Sequence, residues 1–264
     1  MLLTCVLSAA IQLLVGCQKA VSESIIHTTA LGEHTQVQLA DGIDFTLNTS
    51  TRVIASLEGT THVLDMQEGE MLLNVSGGSR GRSLLRVGDL ELEPTAAQVR
   101  VLARRDVDGA RRIQMISGEG VVRILQTRVG ISSRSGFLPV VLTAGEALRA
   151  RGNVLMKESV DRATLDGHLA WLNGEVFLQG ESLADAAAEF NRYNSRKLVI
   201  SDGAISSLSI GGRFNATDVD AFVKSLQKAF GIRVVIDPAA TRDRRAAQGD
   251  QPTIVLAGRR ERRT

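Results

Sequence analysis

Gln36–Asn48 reads QVQLADGIDFTLN. Apolar residues fall at Val37, Leu39, Ile43, Phe45 and Leu47, every second position on either side of Asp41-Gly42. Alternation of that period marks strands with one buried face, and Asp-Gly is a dipeptide whose turn matches strand twist. The stretch therefore predicts a β-hairpin. Its outward residues, Gln36, Gln38, Asp44 and Thr46, include no nucleophile beside a base, so the hairpin reads as support and function is sought elsewhere.

The same texture continues from Thr28 to about Met156. Val53–Leu57, His62–Met66, Met71–Val75, Leu84–Val87, Val99–Ala103, Ile113–Ile116, Val121–Leu125, Val140–Thr143 and Ala147–Ala150 are short apolar or alternating runs separated by Gly, Asp and Ser turns. No helical period is sustained here, and many short strands at regular spacing predict a sandwich or roll-like β domain. A Gly-Glu pair recurs at Gly32-Glu33, Gly69-Glu70, Gly118-Glu119, Gly145-Glu146 and Gly174-Glu175, each placed as a turn before a new strand. Widely spaced single glutamates do not make an ion site, which needs several oxygen ligands close together.

After about Val160 helical periods appear. Ser182 is placed to cap a helix with Leu183, Ala186, Ala187, Phe190 and Tyr193 or Asn194 on one face. Thr217-Asp218-Val219-Asp220 opens a second, with Val219, Phe222, Val223, Leu226 and Phe230 on one stripe and Gly231 closing it. Strands are expected at Val176–Leu178, Lys197–Ser201, Leu208–Phe214 and Arg233–Ile236, with Thr253–Ala257 as a final one. The order is βαββαβ, a small α+β module whose helices would cover one sheet face and leave the other face or an edge for a partner. The chain thus divides into a hydrophobic leader or membrane anchor (1–24), a mainly β domain (25–157), the α+β module (158–258) and a basic tail (259–264).

Composition narrows the function. Lys and Arg number 31 against 29 Asp and Glu, and the basic clusters, Arg104-Arg105, Arg111-Arg112, Arg242–Arg245 and Arg259–Arg263, read as solvated turns and tail. That argues against a nucleic-acid partner, which calls for a concentrated basic face. Only Phe45 and Phe137 among the aromatics precede Trp171, so the first half has no stacking platform. Both cysteines lie in the first 17 residues, leaving the body without thiol chemistry. Met1–Gly16 is apolar but short of the about 20 residues that cross a bilayer, and suits a signal-peptide core or a clipped membrane anchor. Leu14-Val15-Gly16-Cys17 resembles a lipobox, with Cys17 as the lipidation site. Either reading places the body outside the cytoplasm.

No nucleotide loop, Gly-x-Ser-x-Gly elbow or metal-ligand spacing appears. Gly77–Gly81 lacks the Gly-Lys-Ser/Thr ending, and His27, His34, His62 and His168 stand alone. The expectation is a non-enzymatic protein without cofactor or metal.

The order of motifs is informative. Thr29-Ala30-Leu31-Gly32-Glu33, Leu39-Ala40-Asp41-Gly42, Leu47-Asn48, Gln67-Glu68-Gly69-Glu70, Gly118–Val122 and Leu142–Glu146 resemble the periplasmic domain of the FecR family of iron-dicitrate sensors and anti-sigma regulators. Ala170–Phe177, Ser182–Asp185, Glu189–Tyr193 and Ile210–Phe214 resemble that family's C-terminal module. Such proteins sit in the inner membrane of Gram-negative bacteria. They receive a signal in the periplasm from the signalling domain of a TonB-dependent outer-membrane transporter and pass it towards an extracytoplasmic-function sigma factor. The resemblance implies this role, with Arg192, Tyr193, Leu208, Ile210, Arg213 and Phe214 as candidates for the partner surface. Relatives carry a cytoplasmic, tryptophan-bearing segment, whereas the sole tryptophan here is Trp171, so sigma-factor contact is expected only through an upstream segment. Small or aliphatic residues also stand at family aromatic positions, with Pro94–Ala97 for a Gly-Thr-x-Phe and Leu73 for a phenylalanine. The alternative from a different class is a lipidated envelope scaffold that binds a neighbour without signalling.

Overall fold

The computed structural model describes residues 24–76, 82–125, 138–237 and 253–258. The leader with Cys17, the Gly77–Gly81 loop, Arg242–Arg245 and the basic tail lie outside the described residues. Thirteen strands form one continuous sheet folded over itself. They are β1 (Ser24–Thr28), β2 (Thr35–Gln38), β3 (Ile43–Leu47), β4 (Arg52–Glu58), β5 (Thr61–Ser76), β6 (Arg82–Val87) and β7 (Leu90–Pro94). After them come β8 (Gln98–Arg105), β9 (Arg111–Ser117), β10 (Glu119–Ile124), β11 (Val140–Thr143), β12 (Glu146–Arg151) and β13 (Val154–Ser159). The first half-sheet runs β11-β10-β7-β6-β5-β4-β1 and the second β2-β3-β5-β8-β9-β12-β13, antiparallel throughout except between β5 and β6. Their inner faces share one core that includes Val53, Leu64 and Leu85 from the first half and Phe45, Leu73 and Val101 from the second. The mainly β expectation holds.

β2 and β3 form the hairpin read from the sequence, with Val37 opposite Phe45 and both Asp41 and Gly42 at positive φ, 62° and 71°. That pair of left-handed residues is what a turn matched to strand twist requires. The two runs expected as separate strands at His62–Met66 and Met71–Val75 are instead one 16-residue strand, β5. Its first part pairs with β4 and β6, its second with β3 and β8, and the pairing with β4 slips a residue between Arg52 and Val53. Gly69, at φ 92°, is the corner where β5 passes from one half-sheet to the other. Glu68-Gly69-Glu70 is therefore a bend inside a strand rather than a turn between two. Gly32, Gly118 and Gly145 likewise lie where the chain crosses between half-sheets, at β1 to β2, β9 to β10 and β11 to β12.

The chain then enters α1 (Arg162–His168), which the sequence reading missed, and a 3₁₀ turn (Ala170–Asn173). Asp161 caps α1 by accepting from the Thr164 amide at 2.7 Å. The module follows with β14 (Glu175–Ser182), α2 (Leu183–Tyr193), β15 (Leu198–Ile200), a short α3 (Gly203–Ser206), β16 (Ser209–Asn215), α4 (Val219–Phe230), β17 (Arg233–Asp237) and β18 (Thr253–Ala257). Ser182 and Asp218 cap α2 and α4, and Gly231 closes α4 at φ 65°. The predicted order is present, but the strands form two small sheets, β14-β16 and β15-β18-β17, instead of one. Phe190 of α2 stacks on Phe222 of α4 at 4.0 Å, with Phe214 edge-on to both. Aromatic packing thus centres a second core.

Candidate functional site

The two cores meet on the outer face of the second half-sheet. Met71, Leu73, Val101 and Ala103 point into the first core, whereas their strand neighbours Leu72 and Leu102 belong to the second, with Trp171 and the α2 residues. The same parity brings Glu70, Arg104 and Arg112 to this surface as one cross-strand row, and Leu72, Leu102 and Gln114 as the next. Helix α2 adds Glu189, Arg192 and Tyr193.

Glu70 is the centre, its side chain only 3 % exposed. Its Oε2 accepts from Arg192 Nη2 at 2.9 Å and from Asn48 Nδ2 at 2.8 Å. Asn48 Nδ2 also donates to Tyr193 Oη at 2.9 Å, and Thr49 Oγ1 to the Arg192 carbonyl at 3.1 Å. Glu189 receives Arg192 at 2.5 Å and Arg104 at 3.1 Å, and Arg104 also reaches Asp106 at 2.7 Å. Burial by itself would raise the Glu70 carboxyl, but the guanidiniums of Arg192, Arg104 and Arg112 outweigh it and hold the group down at about 2. Burial would lower Arg192, and Glu70 and Glu189 reverse that, so it is raised. Burial pushes the Tyr193 hydroxyl up.

His168 at the end of α1 completes the network. Its Nδ1 donates to Gln114 Oε1 at 2.9 Å and its Nε2 accepts from Arg112 Nη1 at 3.0 Å. This pairing sets a neutral tautomer. Burial first, and the Arg112 charge second, lower its pKa to about 4. Beside the network opens a cleft of about 700 Å³ between the β9-β12-β13 face and α1, β14 and α2. Arg104, Arg112 and Arg149 lie on one side and Glu175, Glu181 and Asp185 on the other.

The arrangement is a joint. Buried ion pairs add little net stability over apolar contact, yet removing one partner is costly because the other charge stays behind. The joint therefore fixes how the module sits on the sheet more than it adds strength.

The six residues expected at a partner surface separate into two sets. Arg192, Tyr193 and Ile210 face inward, Arg192 and Tyr193 into the joint and Ile210 into the second core. Leu208 and Phe214 are half-buried, and Arg213 is exposed. Arg213 lies over the Phe177 ring at 4.0 Å and pairs with Glu175 at 2.9 Å. Glu70, Asn48 and His168 were not anticipated. Asn48 ends the opening hairpin, so that hairpin supplies one polar group to the joint as well as support.

A folded-over β-sheet carrying a small α/β module on one outer face is an architecture shared with solved proteins. Two crystal structures of a putative anti-sigma factor from Parabacteroides distasonis match it, each at a TM-score of 0.65 and 17 % identity. The matches cover 90 % and 89 % of this chain and 100 % of the neighbours. At that identity the likeness shows a common fold. No protein-family model and no curated protein matches the sequence.

Proposed function

We propose that this chain is a non-enzymatic regulatory relay of the anti-sigma type, related to the FecR proteins and working through protein contacts in the periplasm. The observation that carries this reading is the fold shared across nine-tenths of the chain with a putative anti-sigma factor. The order of sequence motifs supports the narrower assignment. On this proposal the N-terminal segment anchors the protein to the membrane, by a helix or by a lipid on Cys17. The module receives the signalling domain of a TonB-dependent transporter, and the message runs towards an extracytoplasmic-function sigma factor.

The edge of β16 away from β14 has no strand partner among the described residues, and an added strand can pair with such an edge. Leu208, Arg213 and Phe214 flank it and form the proposed contact surface. The test is binding of the purified chain to transporter signalling domains, paired with sigma-dependent transcription in cells lacking the gene. Specific binding that Arg213→Glu weakens at least tenfold, together with altered transcription, supports the relay. Unaltered transcription and no binding, with lipid found on Cys17, would leave the envelope scaffold instead.

A further inference from the structure

The cleft floor breaks a rule of sheet design. Arg104, Arg112 and Arg149 stand directly opposite one another on β8, β9 and β12, and like charges facing across strands are destabilising. Arg104 is compensated by Asp106 and Glu189. Arg149 has Glu158 at 3.4 Å, a pair largely open to solvent on the Arg149 side. Arg112 is different. Its side chain is 11 % exposed and its ion-pair partner is Glu70 Oε1 at 3.8 Å, the other oxygen of that carboxylate being bonded to Arg192 and Asn48. The remaining contact of Arg112 is the neutral His168 ring, and its Nε is buried without a hydrogen-bond partner. A buried guanidinium whose one carboxylate partner stands 3.8 Å away, flanked by two more guanidiniums, can accept a closer anion.

We propose that Arg112 and Arg149 form an oxyanion subsite on the floor of the cleft, taking the carboxylate or phosphate group of a small ligand. The cleft volume of about 700 Å³ falls within the range of small-molecule sites. Arginine presents a planar fork that matches either group. The acidic residues across the cleft are engaged within the module: Glu175 with Arg213, Glu181 with the Gln179 amide and Asp185 with Ser182 Oγ.

The test is thermal unfolding and calorimetric titration of the purified full-length chain with inorganic phosphate and with malonate, against sodium chloride at matched ionic strength. A saturable rise in Tm with either probe is expected, and the probe that acts distinguishes phosphate from carboxylate. Arg149→Ala should weaken binding about tenfold, the loss of one charge-assisted contact. Arg112→Met should abolish the ligand-induced rise and lower the ligand-free Tm as well, because Glu70 loses one of its guanidiniums and His168 its donor. If Arg112→Met does not fold, the charge is structural and the proposal fails. It fails equally if neither probe exceeds sodium chloride, or if Arg149→Ala binds like the parent.

Discussion

Glu70→Gln removes one negative charge from the joint and keeps its shape and an acceptor oxygen. Asn48 can still donate to the amide oxygen, so the change isolates the charge. Arg104 and Arg192 then keep Glu189 and Asp106 between them, and Arg112 loses its ion pair. The carboxyl is depressed from 4.5 to about 2, which corresponds to about 3 kcal/mol at about 1.4 kcal/mol per unit. That agrees with the roughly 3–5 kcal/mol for unpairing a buried ion. The folded carboxyl holds its proton less tightly than the unfolded one. Its contribution is therefore complete above about pH 5, falls below half near pH 3, and vanishes towards pH 1. Trp171, the sole tryptophan, lies in the second core against the joint and reports its opening by fluorescence. Urea unfolding at pH 7 should show Glu70→Gln less stable by about 3 kcal/mol, with the gap narrowing below pH 4. A gap under about 1 kcal/mol at pH 7, or one that stays constant down to pH 3, would refute the pairing energetics.

His168 makes a second, separable window. Its folded pKa of about 4 lies below the ordinary 6.5, so the unfolded chain takes up a proton that the folded one refuses. Stability should fall as the pH drops from 6.5 to 4, by about 2–3 kcal/mol, and His168→Gln should flatten that part of a urea-midpoint profile. Gly69→Ala should cost more than about 3 kcal/mol or prevent folding, since a Cβ there meets Thr51 Cα at 2.5 Å and φ is 92°. Gly59→Ala, at φ 66° with nothing within 4 Å, should cost only about 1 kcal/mol, and circular-dichroism melts of the pair make the comparison. Phe190→Ala, which empties a fully buried place against Phe222, should lower stability by about 3–5 kcal/mol in the same melts.

Local pattern carried much of the fold. Asp41-Gly42 fixed the first hairpin, and the two predicted helical stripes gave helices whose faces are buried, except that Phe230 at the end of the second is 40 % exposed. Glu68-Gly69-Glu70 misled because glycine permits either a turn or a bend, and the choice depends on whether β3 and β8 continue the pairing beyond it. Leu90–Pro94 alternates over so few residues before Pro94-Thr95 that β7 was passed over. The division of the module into two sheets depends on β15 pairing with β18 across more than fifty residues, which no local period encodes. Asn48 and Glu70 point outward by strand parity. Their burial comes from the helix that covers that face, and the Glu70–Arg192 bond joins residues 122 positions apart.

The corner in β5 bears on how a tug at the C-terminal module would be felt. Glu70, which grips Arg192, is the residue next to Gly69, where the strand leaves one layer for the other. Load arriving through α2 would therefore enter at the hinge line shared by both layers, instead of at a loose rim. β5 is laced to β3, β4, β6 and β8 at once, so that point should yield late under force. The helix should peel away from the sheet before the sheet unravels, which leaves the support intact to be gripped again.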